Sequence, residues 1–208
     1  MFGVCRFRGT ATAEPAIVRP TRRRGIVVEV THMTNTTDIR IRLATTADAR
    51  SIAGIGVRGW QAAYRGILPA AFLAGLNVAA REAAWQSMLE SDEERRAPSW
   101  IAERDGRTIG FVAGGPPRDD DVPLPGAEVY AIYVDPDAWR NGAGRALLAT
   151  AVAHWFGRGA TTMVLWVLEA NARGRAFYEA MGWEADGRRQ EIDFGGFYVS
   201  EVRYRKRP

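Results

Sequence analysis

Glu128-Val129-Tyr130-Ala131-Ile132-Tyr133-Val134-Asp135-Pro136-Asp137-Ala138-Trp139-Arg140-Asn141-Gly142-Ala143-Gly144-Arg145-Ala146-Leu147-Leu148 is the stretch on which the reading of the fold turns. After the opening acid its first residues are β-branched, aromatic or small, as in a strand. Asp135-Pro136 ends that strand, because proline donates no ladder hydrogen bond and biases its predecessor away from helix. Ala146, Leu147, Ala149, Ala151 and Val152 then continue as a helix. Between the two, Gly142 and Gly144 let the chain turn tightly and bring backbone N–H groups close to a ligand. Strand, glycine turn and helix together make an anion site. The unpaired N–H groups and positive dipole end of the helix, with Arg140 and Arg145 alongside, favour a phosphate.

Two familiar phosphate loops fail against this spelling. A Walker loop needs a lysine after its second glycine, and the only lysine is Lys206. A dinucleotide fingerprint needs a third glycine where Leu147 stands and an acid about twenty residues on, where the chain offers Thr162, Met163, Val164 and Leu165. The stretch instead resembles the acyl-CoA loop of the GNAT superfamily of N-acetyltransferases, Arg/Gln-x-x-Gly-x-Gly/Ala after a strand with hydrophobic-Val-x-Pro spacing. Gly142-Ala143-Gly144 supplies the glycines. Trp139 occupies the position of the Arg or Gln, and Arg140 is offset by one. A second motif follows in order: the buried-strand run Thr162 to Leu168, then Asn171, then Tyr178 seven residues on, then Gly182-Trp183. With the cluster Trp60, Tyr64, Gly66, Ile67, Leu68 and Pro69, the resemblance spans about residues 39–205.

The resemblance implies an α/β (α+β) fold: one mixed, mostly antiparallel sheet of six to seven strands, flanked by about four helices and splayed at its central parallel pair. It implies acetyl-CoA as co-substrate, its diphosphate on Trp139, Arg140, Asn141, Gly142, Ala143, Gly144, Arg145 and Ala146. Its pantetheine arm would lie along Ile132, Tyr133 and Val134 as though it were a missing strand, with Asn171 holding the cofactor or the splayed backbone.

Moving an acetyl group from a thioester to an amine sets two proton requirements. An aliphatic ammonium has a pKa near 10 and a thiol one near 8.5, so the amine must lose a proton and the departing thiolate must gain one. By resemblance Tyr178 is the acid and Glu128 the base, with Glu169 or water as alternatives to Glu128. Trp60 and Tyr64 are candidates for the acceptor pocket, together with Phe72, Trp85 and Trp139. No feature distinguishes a protein amine from a small one. A non-catalytic acyl-CoA sensor or scaffold is the alternative of a different class.

Composition bounds the rest. The chain has 208 residues, 47% hydrophobic and 25% charged, enough for one well-buried core. No apolar run approaches the roughly twenty residues of a membrane span, and none forms a signal-peptide core, so a cytoplasmic protein is expected. Cys5 stands alone and only His32 and His154 are present, so neither an intrachain disulfide nor a metal site is expected. Residues 1–37 hold Arg6, Arg8, Arg19, Arg22, Arg23 and Arg24 against Glu14 and Glu29, the whole of the formal +4. They read as a disordered extension, with Met33 a candidate for the true start. Residues 38–208 form the catalytic domain, near neutrality, so the basic pI gives no ground for nucleic-acid binding. A monomer or homodimer is expected.

Within the domain, Ile39, Ile41 and Leu43 alternate with arginines as a half-exposed strand, and Thr46 caps a helix softened by Gly54, Gly56 and Gly59. A short helical turn follows from Pro69 to Leu73 and a longer helix from Ala79 to Glu90. Asp105-Gly106 joins a hairpin of Trp100–Arg104 and Thr108–Ala113. Residues 114–126, with four prolines and Asp119-Asp120-Asp121, read as a loop with a solvated acidic tip. Trp183–Arg188 and Tyr198–Arg205 read as two closing strands.

Overall fold

The run ahead of Asp135 folds as a strand, and the chain on either side builds one sheet around it. The computed structural model describes residues 39–91 and 97–208; the expected extension at 1–37 and the start at Met33 lie outside them. In chain order the elements are β1 (Arg40–Leu43), α1 (Ala49–Ala63), α2 (Ala70–Ala74), α3 (Val78–Glu90), β2 (Ser99–Arg104), β3 (Arg107–Gly115), β4 (Gly126–Val134), α4 (Ala143–Gly157), β5 (Thr162–Leu168), α5 (Ala172–Ala180), β6 (Glu184–Asp193) and β7 (Tyr198–Lys206). The strands form one seven-stranded sheet in the order β1-β2-β3-β4-β5-β7-β6. Only β4 and β5 run parallel, and every other neighbouring pair is antiparallel. The mixed, mostly antiparallel sheet is the one the resemblance implied.

Local chemistry explains most boundaries. Asp105 and Gly106 both take positive φ, 51° and 72°, the left-handed turn that matches the twist of a two-residue hairpin. A single 3-10 turn, Thr46–Asp48, leads into α1, and its cap stands one residue ahead of the expected Thr46. Thr45 rather than Thr46 starts it: the Thr45 N–H donates to Asp48 Oδ2 at 2.8 Å and the Thr45 carbonyl accepts from the Asp48 N–H. The glycines of α1 have a packing role. Gly54, Gly56 and Gly59 are buried, and a Cβ on Gly59 would lie 2.9 Å from the Tyr133 ring. A Gly59→Val substitution therefore overpacks α1 against β4. We expect it to cost about 1–3 kcal/mol in urea-induced unfolding.

The parting of β4 from β5 has a visible cause. The parallel ladder consists of Gly126↔Thr162, Ala127↔Met163, Glu128↔Val164 and Val129↔Leu165 and then stops. On the other side of β4, Ala113 faces Ala131 while Gly114 faces Val129, so Tyr130 is the extra residue of a bulge. A bulge bends its strand and increases its twist. Tyr130 is anchored by its hydroxyl to the Pro116 carbonyl at 2.6 Å. Any Cβ on Gly115 would sit 2.5 Å from that hydroxyl. Beyond the bulge β4 leaves β5, while β5 continues against β7 as far as Leu168↔Glu201.

The acidic loop departs from expectation. Asp120 and Asp121 are exposed, but the run is more than a solvated tip: Asp119 and Asp121 reach β7, where the Arg203 side chain, 2% exposed, is held by Asp119 at 3.0 Å, Asp121 at 2.7 Å and Asp186 at 2.8 Å. The Trp166 indole also donates to Asp119 at 2.9 Å. A buried guanidinium needs such compensation, because leaving it unpaired is costly. The hydrogen bonds from Arg203 hold the Asp121 carboxyl well below the usual carboxylate range, outweighing the effect of burial. A depressed folded-state value contributes stability above the unfolded carboxylate pKa, and that stability is lost as pH falls toward the folded value. Melting temperature is expected to drop below about pH 4, less steeply in Asp121→Asn than in the wild type.

Candidate active site

One half of the site lies at the start of α4. Gly142, with φ at +85°, is its N-cap and brings no side chain to cap the first turn, which holds no acidic residue. Arg140 also takes positive φ, +64°. The backbone thus curls twice in the left-handed region before α4 begins, presenting its N-terminal amides and positive dipole end. Val134, Ala138, Trp139, Arg140, Gly142, Ala143, Gly144 and Arg145 line a cavity of about 250 Å³. Of the residues expected to hold the cofactor, this brings six side by side with Val134. Ile132 and Tyr133 lie on β4 beyond the last β4–β5 pair, and both are buried. Asn141 is exposed within the loop, and Ala146 donates its N–H to the Gly142 carbonyl at 3.0 Å, inside the helix. Asn171 caps α5 by accepting from the Gly174 N–H at 2.9 Å.

The opposite wall of the cavity comes from α5, which contributes Arg173 and Phe177. Neither was singled out in the sequence. Trp139, expected both at the diphosphate and beside the acceptor, lines this cavity. Its indole donates to the Val134 carbonyl at 2.8 Å, and the Arg173 guanidinium lies 4.0 Å from its ring centroid. Burial, and then the nearby charge of Arg140, lower the pKa of Arg173. Two cations therefore face each other across a cavity walled by helix amides.

The second half gathers where β4 and β5 part. Tyr178 on α5 is fully buried, its ring 6.1 Å from that of Tyr204, and Tyr204 pairs with Leu165, the last β5 residue still joined to β4. Burial, reinforced by the fields of Tyr64 and Glu201, raises the Tyr178 phenol well above its ordinary value. Tyr64, at the end of α1, lies with its hydroxyl 3.4 Å from that of Tyr133 on the freed part of β4. Its own phenol is raised by burial and by Glu201, against an opposing hydrogen bond with Tyr133. Tyr64 and Tyr133 thus meet across the opening, and the charge of Glu201 reaches both Tyr64 and Tyr178. Trp60 closes the outer side of the opening, 5.0 Å from Tyr64 and 5.8 Å from Phe194, while Trp85 packs away from it on Phe111 at 5.0 Å.

The three carboxylates near the opening have different surroundings. Glu128 is buried inside the closed part of the ladder. Its carboxylate accepts from the Arg118 backbone N–H at 2.9 Å and from the guanidinium at 3.2 and 2.5 Å. Glu169 pairs with Arg189 at 2.7 Å. Glu201, 1% exposed, stands opposite Leu168 in the part of β5 that β4 has left, and accepts from the Gln190 amide at 2.6 Å.

Residues 60–183 match the GNAT acetyltransferase family. The chain is 32% identical over 164 residues to the uncharacterized N-acetyltransferase YuaI of Bacillus subtilis, covering 79% of this chain and 90% of that protein. This chain belongs to the GNAT acetyltransferase family. It is also 30% identical to a probable N-acetyltransferase of Mycobacterium tuberculosis, over 73% of this chain and 83% of that one. Among solved structures, the PaiA N-acetyltransferase of Thermoplasma acidophilum in complex with coenzyme A superposes with a TM-score of 0.65 at 19% identity, over 82% of this chain and 99% of that one. As a GNAT acetyltransferase the chain is an acyltransferase that acts on an amine. Among the described residues, no helix is long and apolar enough to cross a membrane.

Proposed function

We propose that the chain transfers the acetyl group of acetyl-CoA directly to a primary amine, with Tyr178 as the acid and Glu201 as the base. The observation that carries this reading is the halt of the β4–β5 ladder at Val129↔Leu165. It frees a length of β4 backbone to pair with an extended pantetheine arm, in line with the α4 amides that suit the diphosphate. The 250 Å³ cavity, its helix amides and its two facing arginines fit that anion in size and sign.

The residues then divide the work. Backbone N–H groups of the Ile132–Val134 segment are placed to stabilise the charge developing on the thioester oxygen. Glu201 takes a proton from the incoming ammonium, and the freed nitrogen lone pair forms the C–N bond. The C–S bond breaks and Tyr178 gives its proton to the departing sulfur; the second proton of the attacking nitrogen passes, directly or through water, to the tyrosinate, and Glu201 returns its proton to solvent. Glu128 is proposed for a structural role instead, because its oxygens are already engaged by Arg118. Trp60 and Tyr64 border the acceptor approach. A cytoplasmic setting and a monomer or homodimer belong to the same reading, and the near-neutral charge of residues 38–208 supports a domain that does not bind nucleic acid.

Thiol release from acetyl-CoA against a panel of amines tests the reading. Release that depends on the amine supports it, and binding of acetyl-CoA without release marks the chain as an acyl-CoA sensor.

A further inference from the structure

We propose that Arg173, reaching from α5 and stacked on Trp139, is the cation that grips the donor's diphosphate, replacing the Arg or Gln that the family loop carries at the position of Trp139. This rests on the acyl-CoA reading of the α4 cavity, and it assigns a part of the grip that the loop itself does not supply.

The substitution at Trp139 sets the problem. An indole carries no charge to offer a phosphate, and its one donor is spent on the Val134 carbonyl at 2.8 Å. Trp139 is therefore fixed in position as a wall. What it offers is a ring face, and the Arg173 guanidinium lies over that face at 4.0 Å. Stacking of this kind holds a flexible side chain in one orientation while leaving its N–H groups free to point elsewhere. Arg173 lines the same cavity as Gly142, Ala143, Gly144 and Arg145, so those N–H groups stand opposite the α4 amides. Burial, and then the charge of Arg140 across the gap, weigh against its own charge. Like charges held close destabilise each other until an anion enters between them. Helix amides on one side and a preorganised guanidinium on the other form a clamp for a diphosphate, which accepts paired N–H donors.

The arrangement also explains why the loop tolerates tryptophan. The charge has moved from the loop to the helix on the facing wall, and the tryptophan serves as its seat. Arg173 is exposed overall and sits one residue into α5, so its replacement leaves the core untouched.

Calorimetric titration of the full chain with CoA, 3′-dephospho-CoA and pantetheine tests the clamp without needing the acceptor. In Arg173→Gln the dissociation constants for CoA and dephospho-CoA are expected to rise about 10- to 100-fold, the value of a lost charge-assisted pair, while that for pantetheine stays unchanged. Trp139→Arg in the Arg173→Gln background restores affinity for the two diphosphate ligands. An equal loss for all three ligands assigns Arg173 a structural role and overturns the proposal. A loss confined to CoA, sparing dephospho-CoA, places Arg173 on the 3′-phosphate and overturns the diphosphate assignment. Unchanged binding in Arg173→Gln overturns it as well. Wild-type protein that binds pantetheine as tightly as CoA would instead refute the acyl-CoA reading of the cavity, a result distinct from any behaviour of the variant.

Discussion

Replacing Tyr178 by Phe is expected to lower kcat by about 100- to 1,000-fold, with the KM for acetyl-CoA close to the wild-type value. The substitution removes one oxygen from a fully buried ring that keeps its packing against Tyr204 and Trp183. Binding, which uses the α4 cavity, is left alone. The chemical step loses its proton source, and the thiolate must depart unprotonated in an apolar setting. Because burial raises this phenol well above its ordinary value, the donor form persists through the whole neutral range. Any alkaline loss of activity due to Tyr178 therefore sets in only above about pH 10. An aryl thioester, whose thiol is more acidic than that of coenzyme A, needs less help and is expected to lose far less rate in the variant. A variant as fast as wild type on acetyl-CoA would remove Tyr178 from the mechanism.

The second large effect is expected at Glu201. Glu201→Gln keeps the shape of the buried side chain but takes away the proton acceptor, and kcat/KM for the amine is expected to fall about 100- to 10,000-fold at neutral pH. The deficit should shrink as pH rises toward the amine's own pKa near 10, because solvent then supplies the free base. Glu128→Gln is the informative comparison. Its carboxylate binds Arg118 at the entry to β4, so the variant is expected to melt earlier yet keep its pH profile. If Glu128→Gln showed the pH-dependent deficit and Glu201→Gln did not, the base would be Glu128.

The contrast between these two acids shows how far the sequence could be read. The strand, the Gly142-Ala143-Gly144 turn and α4 are neighbours in the chain, so local spacing gives them away. The same holds for Asn171, α5 and Tyr178. Parallel pairing of β4 with β5 follows from the helix that joins them. Glu201 carries no local mark. It is one polar residue in a strand of mixed composition, and its burial comes from β7 lying between β5 and β6. Arg203 is similar: its partners Asp119 and Asp121 lie 84 and 82 residues away along the chain. Arg118 was hidden in a proline-rich loop, so the occupation of Glu128 went unseen. Arg173 is the one that could have been found. A missing cation at Trp139 invites a search for another basic residue, and the start of the helix after Asn171 offers two, Arg173 and Arg175.

The place of β7 bears on how the protein comes into being. Synthesis delivers β6 before the strand that must stand between it and β5, so a nascent chain reaching Phe197 has both strands made but nothing to join them. The finished sheet needs β7 between them, and there Arg203 meets Asp119, Asp121 and Asp186. A slip of one residue would turn that guanidinium toward the opposite, apolar face. Glu201 lies on the same strand, so on the proposed reading a half-made copy holds the α4 loop but still lacks its proton acceptor.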